Sequence, residues 1–316
     1  MNPSTLSLRR SLSRAVATLV LAASSLSSLA CSVGDSGYDR PEGRAIKDPR
    51  EVPPSPNRTT PETVKVSLVA REMIAEIGPD TTFPVWTFNG TVPGPMIRVI
   101  EGDTVEVTLT NELRSKDPHS IDLHAAIGPG GGGPVSQVAP GETRTFSFKA
   151  TRQGAFIYHC AAEGMPWEHI AHGMFGMIQV DPPGGAAPGY RELYVGQNEW
   201  YLGDPADAHE EEEEMEHGES GDDGRPWSPL VLEPDRAQKE LSDLYPFTGH
   251  TEPLPEPKLY GDAMSVTQGE KVRIFFVNGG PNKISSLHVV GQIFSSAYTS
   301  HPADRTRNEE TLLVAP

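Results

Sequence analysis

The sequence predicts an all-β protein of tandem Greek-key β-sandwiches with the second incomplete, and three features of its 316 residues carry that prediction. Segments such as "DTVEVTLT" (103–110) and "TRTFSFKA" (143–150) alternate apolar and polar residues with the period of a half-buried strand. Glycine and proline breakers recur between such segments at intervals that suit a sandwich of antiparallel sheets. A motif also occurs twice, as "VIEGDTVEVTLTN" (99–111) and "VTQGEKVRIFFVN" (266–278): a hydrophobic residue, a glycine turn, and an alternating strand ending in Asn.

Taken in order, residues 1–31 read as an export signal. Arg9, Arg10 and Arg14 precede an apolar, small-residue-rich stretch that is short for a bilayer span. "SSLAC" has the form of a bacterial lipoprotein processing site, which would place a lipid anchor on Cys31 and the mature protein in the periplasm or at the outer membrane. Residues 32–61, rich in proline, charge and small polar side chains, read as a disordered tether. Residues 62–183 hold the first set of strands. Residues 184–257 form a linker and the start of a second domain, interrupted by an acidic disordered insertion at 204–226 that contains "HEEEEEMEHGESGDD". Residues 258–316 continue that second domain, but "ETLLVAP" is followed by no closing strands, so the sequence reads as a truncated copy of a longer protein. A net charge of −17 argues against nucleic acid or an anionic lipid surface as partner.

The chemistry-bearing residues concentrate in two stretches. "DPHSIDLHAA" holds His119, Asp122 and His124, and "GAFIYHCAAEGMPWEHIAHGMFGMIQV" holds His159, Cys160, His169, His172 and Met174. The chain has two cysteines, and with Cys31 lipidated or removed Cys160 has no disulfide partner in an oxidising compartment. Strand side chains alternate between faces. His159 and Cys160 must therefore point in opposite directions, and the odd spacing of His119 and His124 separates them likewise. Laid side by side, the two stretches make two sites: His119 with Cys160 on one face, and His124, Asp122 and His159 on the other. The loop after Cys160 adds His169 and Met174 to the first. Two imidazoles, a thiolate and a weak thioether are the donors of a blue-copper electron-transfer centre, whereas structural zinc asks for four strong ligands. His172 reads as a surface residue.

These motifs, with "VNGGPNKISSLHVVGQIF" further on, resemble the copper-containing nitrite reductases, and in particular the outer-membrane lipoprotein branch known from Neisseria. The resemblance implies tandem cupredoxin domains in a homotrimer, with copper of type 1 held by His119, Cys160, His169 and Met174. It further implies type 2 copper held by His124, His159 and a third histidine from a neighbouring subunit, which no residue of this sequence matches. Asp122 and His288 would be the catalytic pair and Val290 would line the nitrite pocket. A small cupredoxin or c-type cytochrome would donate electrons. The sequence departs from many relatives at "PWEH", where Glu168 separates Trp167 from His169. Two other readings stand beside this one: a type 1 electron carrier without catalysis, and a multicopper oxidase, which would need a further histidine directly after Cys160.

Overall fold

The computed structural model describes residues 42–204, 230–251, 265–299 and 301–316. The export signal, Cys31 and the acidic insertion beyond Asp204 lie outside the described residues. Among those described, no helix is long and apolar enough to cross a membrane.

The first eight strands are β1 (Thr63–Gly78), β2 (Thr81–Phe88), β3 (Ile97–Ile100), β4 (Thr104–Asn111), β5 (Asp122–Leu123), β6 (Thr143–Lys149), β7 (Gly154–His159) and β8 (Phe175–Asp181). They form two four-stranded sheets, ordered β2-β1-β4-β6 and β3-β8-β7-β5. The pairs β1–β4 and β3–β8 are parallel; the other pairs are antiparallel. Alternation does what it predicts in β4: Val105, Val107 and Leu109 are fully buried and the residues between them are not. They meet Ile121, Leu123, Tyr158, Ile178 and Val180 in one core between the sheets. β1 faces two cores at once, with Leu68 and Ala70 in this one and Met73, Ala75 and Ile77 in a second that includes Tyr194, Trp200 and Phe275.

Residues 42–61, read from composition as part of a tether, are packed against the sheets instead. Ala45 is buried, Ser55 Oγ donates to Asp181 at 2.7 Å, and the Arg58 guanidinium grips Asp103 through two hydrogen bonds. Proline-rich backbone needs no ladder partner, and specific side-chain anchors hold it in place.

Later in the chain come β9 (Arg191–Asn198), β10 (Leu202–Gly203), β11 (Val231–Leu232), β12 (Val272–Gly280), β13 (Ser285–His288) and β14 (Thr311–Val314). The sequence echo has a structural counterpart. β4 runs parallel to β1, and β12 runs parallel to β9. At the strand ends, Asn111 Nδ2 donates to Asp117 O and Val138 O, while Asn278 Nδ2 donates to Lys283 O and Val314 O. Each buried amide thus ties the strand end to the turn after it and to a returning segment, which is why both copies of the motif end in Asn.

Candidate metal centres

β7 delivers His159 half-buried and Cys160 fully buried, as parity requires. The loop after Cys160 closes on itself. Cys160 N–H donates to Met174 O and Met174 N–H to His169 O, each at 3.0 Å, so α1 (Pro166–Ala171) brings His169 back over the thiol. β5 is shorter than the sequence suggests, and His119 precedes it in a bridge to Val138. The resulting cluster is compact: His169 Nδ1 lies 3.1 Å from His119 Nδ1 and 3.3 Å from Cys160 Sγ, with 3.9 Å between Sγ and His119 Nδ1. Met174 is fully buried in the same core cluster as Cys160.

Donors bound at about 2.0–2.3 Å around one ion stand roughly 3–4 Å apart, so the spacing fits a single metal. The tautomers fit as well. His119 Nε2 lies 3.0 Å from Glu72 Oε1, and an ionised carboxylate only accepts, so Nε2 carries the proton and Nδ1 turns its lone pair to the centre. Burial pushes the Cys160 thiol up to about 11 against the donating Ser120 amide, and burial with the charges of His119 and His172 takes His169 down to about 3. The His169 imidazole is therefore already the neutral ligand form, and the Cys160 thiol has a proton to give up on metal entry.

The second cluster lies on the other face of the same elements. Asp122 pairs with His159 across β5 and β7, and His124 Nε2 stands 3.1 Å from His159 Nε2 with the rings edge to face. His159 Nδ1–H donates to Cys160 O at 2.9 Å, which leaves its Nε2 lone pair facing His124. His124 is exposed; desolvation, then the His159 charge, lower its pKa against Asp122. Around Asp122 folds the turn "PGGGGP" (129–134). Gly131 has φ +53°, and a Cβ there would lie 1.7 Å from Asp122 Oδ1, so only glycine lets the backbone pass this close to the carboxylate.

The geometry can be set beside known proteins. A family model described as multicopper oxidase matches residues 71–185. The copper-containing nitrite reductase of Neisseria gonorrhoeae is 40% identical over 265 residues, which cover 84% of this chain and 62% of that protein. A solved copper nitrite reductase from Nitrosomonas europaea superposes with a TM-score of 0.62 at 34% identity, over 80% of this chain and 81% of that one. The chain belongs to the copper-containing nitrite reductases. It spans about 62% of the length of the Neisseria relatives it matches. A multicopper oxidase structure with 26% identity and a TM-score of 0.57 shares the cupredoxin architecture.

Within this copper-containing nitrite reductase family member, His119, Cys160 and His169 come together in one group and Asp122, His124 and His159 in another, while Met174 lies in the core cluster that contains Cys160. His288 and Val290 do not join them within the chain: His288, at the end of β13, has Nδ1 2.8 Å from Glu310 O, and Val290 is 91% exposed. The reading of His172 as a surface residue is overturned. It is buried, its Nδ1–H donates to Glu168 O at 2.9 Å, and its ring stacks on Trp86 at 4.1 Å. A slot facing Trp86 on one side and Phe83 on the other favours a flat neutral ring, and burial takes His172 down to about 4. Sequence reasoning missed Glu72, Trp86 and the glycine turn. A signal for Glu72 was present, because it follows Val64, Val66, Leu68 and Ala70 on the inward-facing parity of β1, where an acid needs a reason.

Proposed function

We propose that the protein is a dissimilatory nitrite reductase, reducing nitrite to nitric oxide. The balance is one electron and two protons per nitrite, with water as the other product. The observation that carries this reading is that two metal-donor sets of different character, one buried with a thiol and one open with two imidazoles and a carboxylate, meet at the consecutive residues His159 and Cys160. Copper held by His119, Cys160, His169 and Met174 would supply one-electron transfer, and copper held by His124 and His159 a Lewis acid with room for substrate.

This chain's residues then have distinct tasks. The covalent connection between the two donor sets runs through the His159–Cys160 peptide. Asp122 sits beside the imidazole pair and can hold a proton for a nitrite oxygen, and His288 is the second proton donor. In a homotrimer the exposed β13 edge would reach a neighbouring subunit, bringing His288 and Val290 to its Asp122. The tandem-domain layout of 62–183 and 258–316 joined through 184–257, a lipid anchor at Cys31, a periplasmic or outer-membrane location, and a small cupredoxin or c-type cytochrome as electron donor belong to the same proposal.

The test is electron paramagnetic resonance of copper-loaded protein together with nitric oxide release from nitrite under reducing conditions. Two copper signals, one altered by nitrite, with one nitric oxide formed per electron, are expected. A single type 1 signal indifferent to nitrite would leave an electron carrier. The family-model match to multicopper oxidases gives that activity a hearing, but Ala161 stands where a trinuclear cluster would need histidine; oxygen consumption with phenols in place of nitrite turnover would revive it.

A further inference from the structure

Glu72 is a charged side chain in a slot built for an apolar one. On β1 it follows Leu68 and Ala70 on the face that packs into the inter-sheet core, and its side chain is only 12% exposed. A carboxylate there loses its hydration, which is unfavourable unless donors replace the water. Three do. Lys116 N–H reaches Oε2 at 3.0 Å, Asp117 N–H reaches Oε1 at 2.9 Å, and His119 Nε2–H reaches Oε1 at 3.0 Å. The two amides belong to the loop that carries His119, so one carboxylate fixes both the approach of that loop and the tautomer of its imidazole.

A hydrogen bond from ligand N–H to carboxylate makes the opposite ring nitrogen a stronger donor. The effect is larger for a metal ion of higher charge. Among the described residues the other imidazole has no such carboxylate partner: His169 meets Trp86 edge to face at 4.7 Å and turns its Nδ1 to the cluster. The two histidines of the buried centre are thus electronically unequal, and the inequality comes from β1, a strand that contributes no ligand.

We propose that Glu72 is a positioning residue that tunes the buried copper centre, holding His119 as the more basic of its two imidazoles and so lowering the reduction potential of the metal. This rests on the buried cluster being the type 1 site of the proposed function.

The test is a redox titration of copper-loaded wild type and Glu72→Gln at one fixed pH, followed by the type 1 absorption band. Gln keeps the length and one acceptor for the loop but removes the charge. Loss of that charge should weaken binding of the oxidised ion relative to the reduced ion about tenfold, a rise of about 59 mV for one electron. Loosening of the loop alone would weaken both oxidation states together and leave the potential where it was, so an unmoved potential in a variant that still shows the band overturns the proposal. A wild type without any type 1 band overturns the site assignment as well, and the two failures are told apart by that first spectrum. Should Glu72→Gln not fold, the wild type decides. In its diamagnetic Cu(I) form, nuclear magnetic resonance should show the His119 Nε2 proton shifted downfield and protected from exchange. A rapidly exchanging proton there would equally sink the proposal.

Discussion

The two donor clusters share the same elements and one peptide bond, yet they are opposites. His119, Cys160 and Met174 are fully buried, and the loop closed by the Cys160–Met174 and Met174–His169 hydrogen bonds seals His169 over them. His124 is exposed, and His159 and Asp122 are half-buried. Nothing in the residue types decides this, since each cluster has two imidazoles and one acidic group. Strand parity decides it, by sending neighbouring side chains to a dry core and to an open surface. The lesson is that one structural accident, His beside Cys at the end of a strand, yields one closed donor set and one open donor set.

Substitutions at the junction break the comparison most severely. Cys160→Ser should abolish the type 1 absorption band while the outer pair still binds copper, and His159→Ala should do the reverse, with nitrite turnover lost in both; absorption and electron paramagnetic resonance on the same samples read this out. Next in size is Gly131→Ala. Its Cβ collides with Asp122, and the positive φ adds about 1 kcal/mol of strain. Displacing a reacting group by an ångström costs about 100-fold in rate, so turnover should fall by about that much with the type 1 spectrum unchanged. A parallel loss of the blue band would show that the two sites are not independent.

Acid sharpens the contrast through the buried side. His169 and His172 are held near 3 and 4, below the usual histidine value, by burial first. The unfolded chain therefore takes up protons that the native state refuses. The copper-free protein should keep its full stability above about pH 6.5 and lose up to about 1.4 kcal/mol per pH unit for each histidine as pH falls from there toward 4. Urea midpoints at pH 7 and pH 5 measure this. His172→Phe, which keeps a flat ring between Trp86 and Phe83, should remove one proton from the slope. The smallest expected effect is that of Trp86→Phe: a loss of about 1 kcal/mol from the stacked and edge-to-face contacts with His172, His119 and His169, read by thermal unfolding.

Much of this was legible in the chain because strand physics is local. The period of "DTVEVTLT" gave β4, and the spacings His119–His124 and His159–Cys160 separated the two donor sets before any coordinates. The missed features depend on what a distant strand brings. Glu72 and Trp86 lie far from Cys160 in sequence and matter because β1 and β2 pair beside it. Residues 42–61 looked like a tether because proline-rich backbone carries no periodic signal, and their anchors, Asp103 in the turn between β3 and β4 and Asp181 at the end of β8, lie far along the chain.

The amino-acid sequence alone determined the all-β class, the repeated strand motif ending in Asn, and the division of the histidine, cysteine and aspartate side chains between two faces, since each follows from the fixed alternation of side chains along extended backbone. Tertiary structure alone decided that His172 is an inward-stacked ring, that Gly131 makes room for Asp122, and that a carboxylate from β1 orients His119. Those outcomes depend on which surfaces meet when the two sheets close, and no local pattern encodes that.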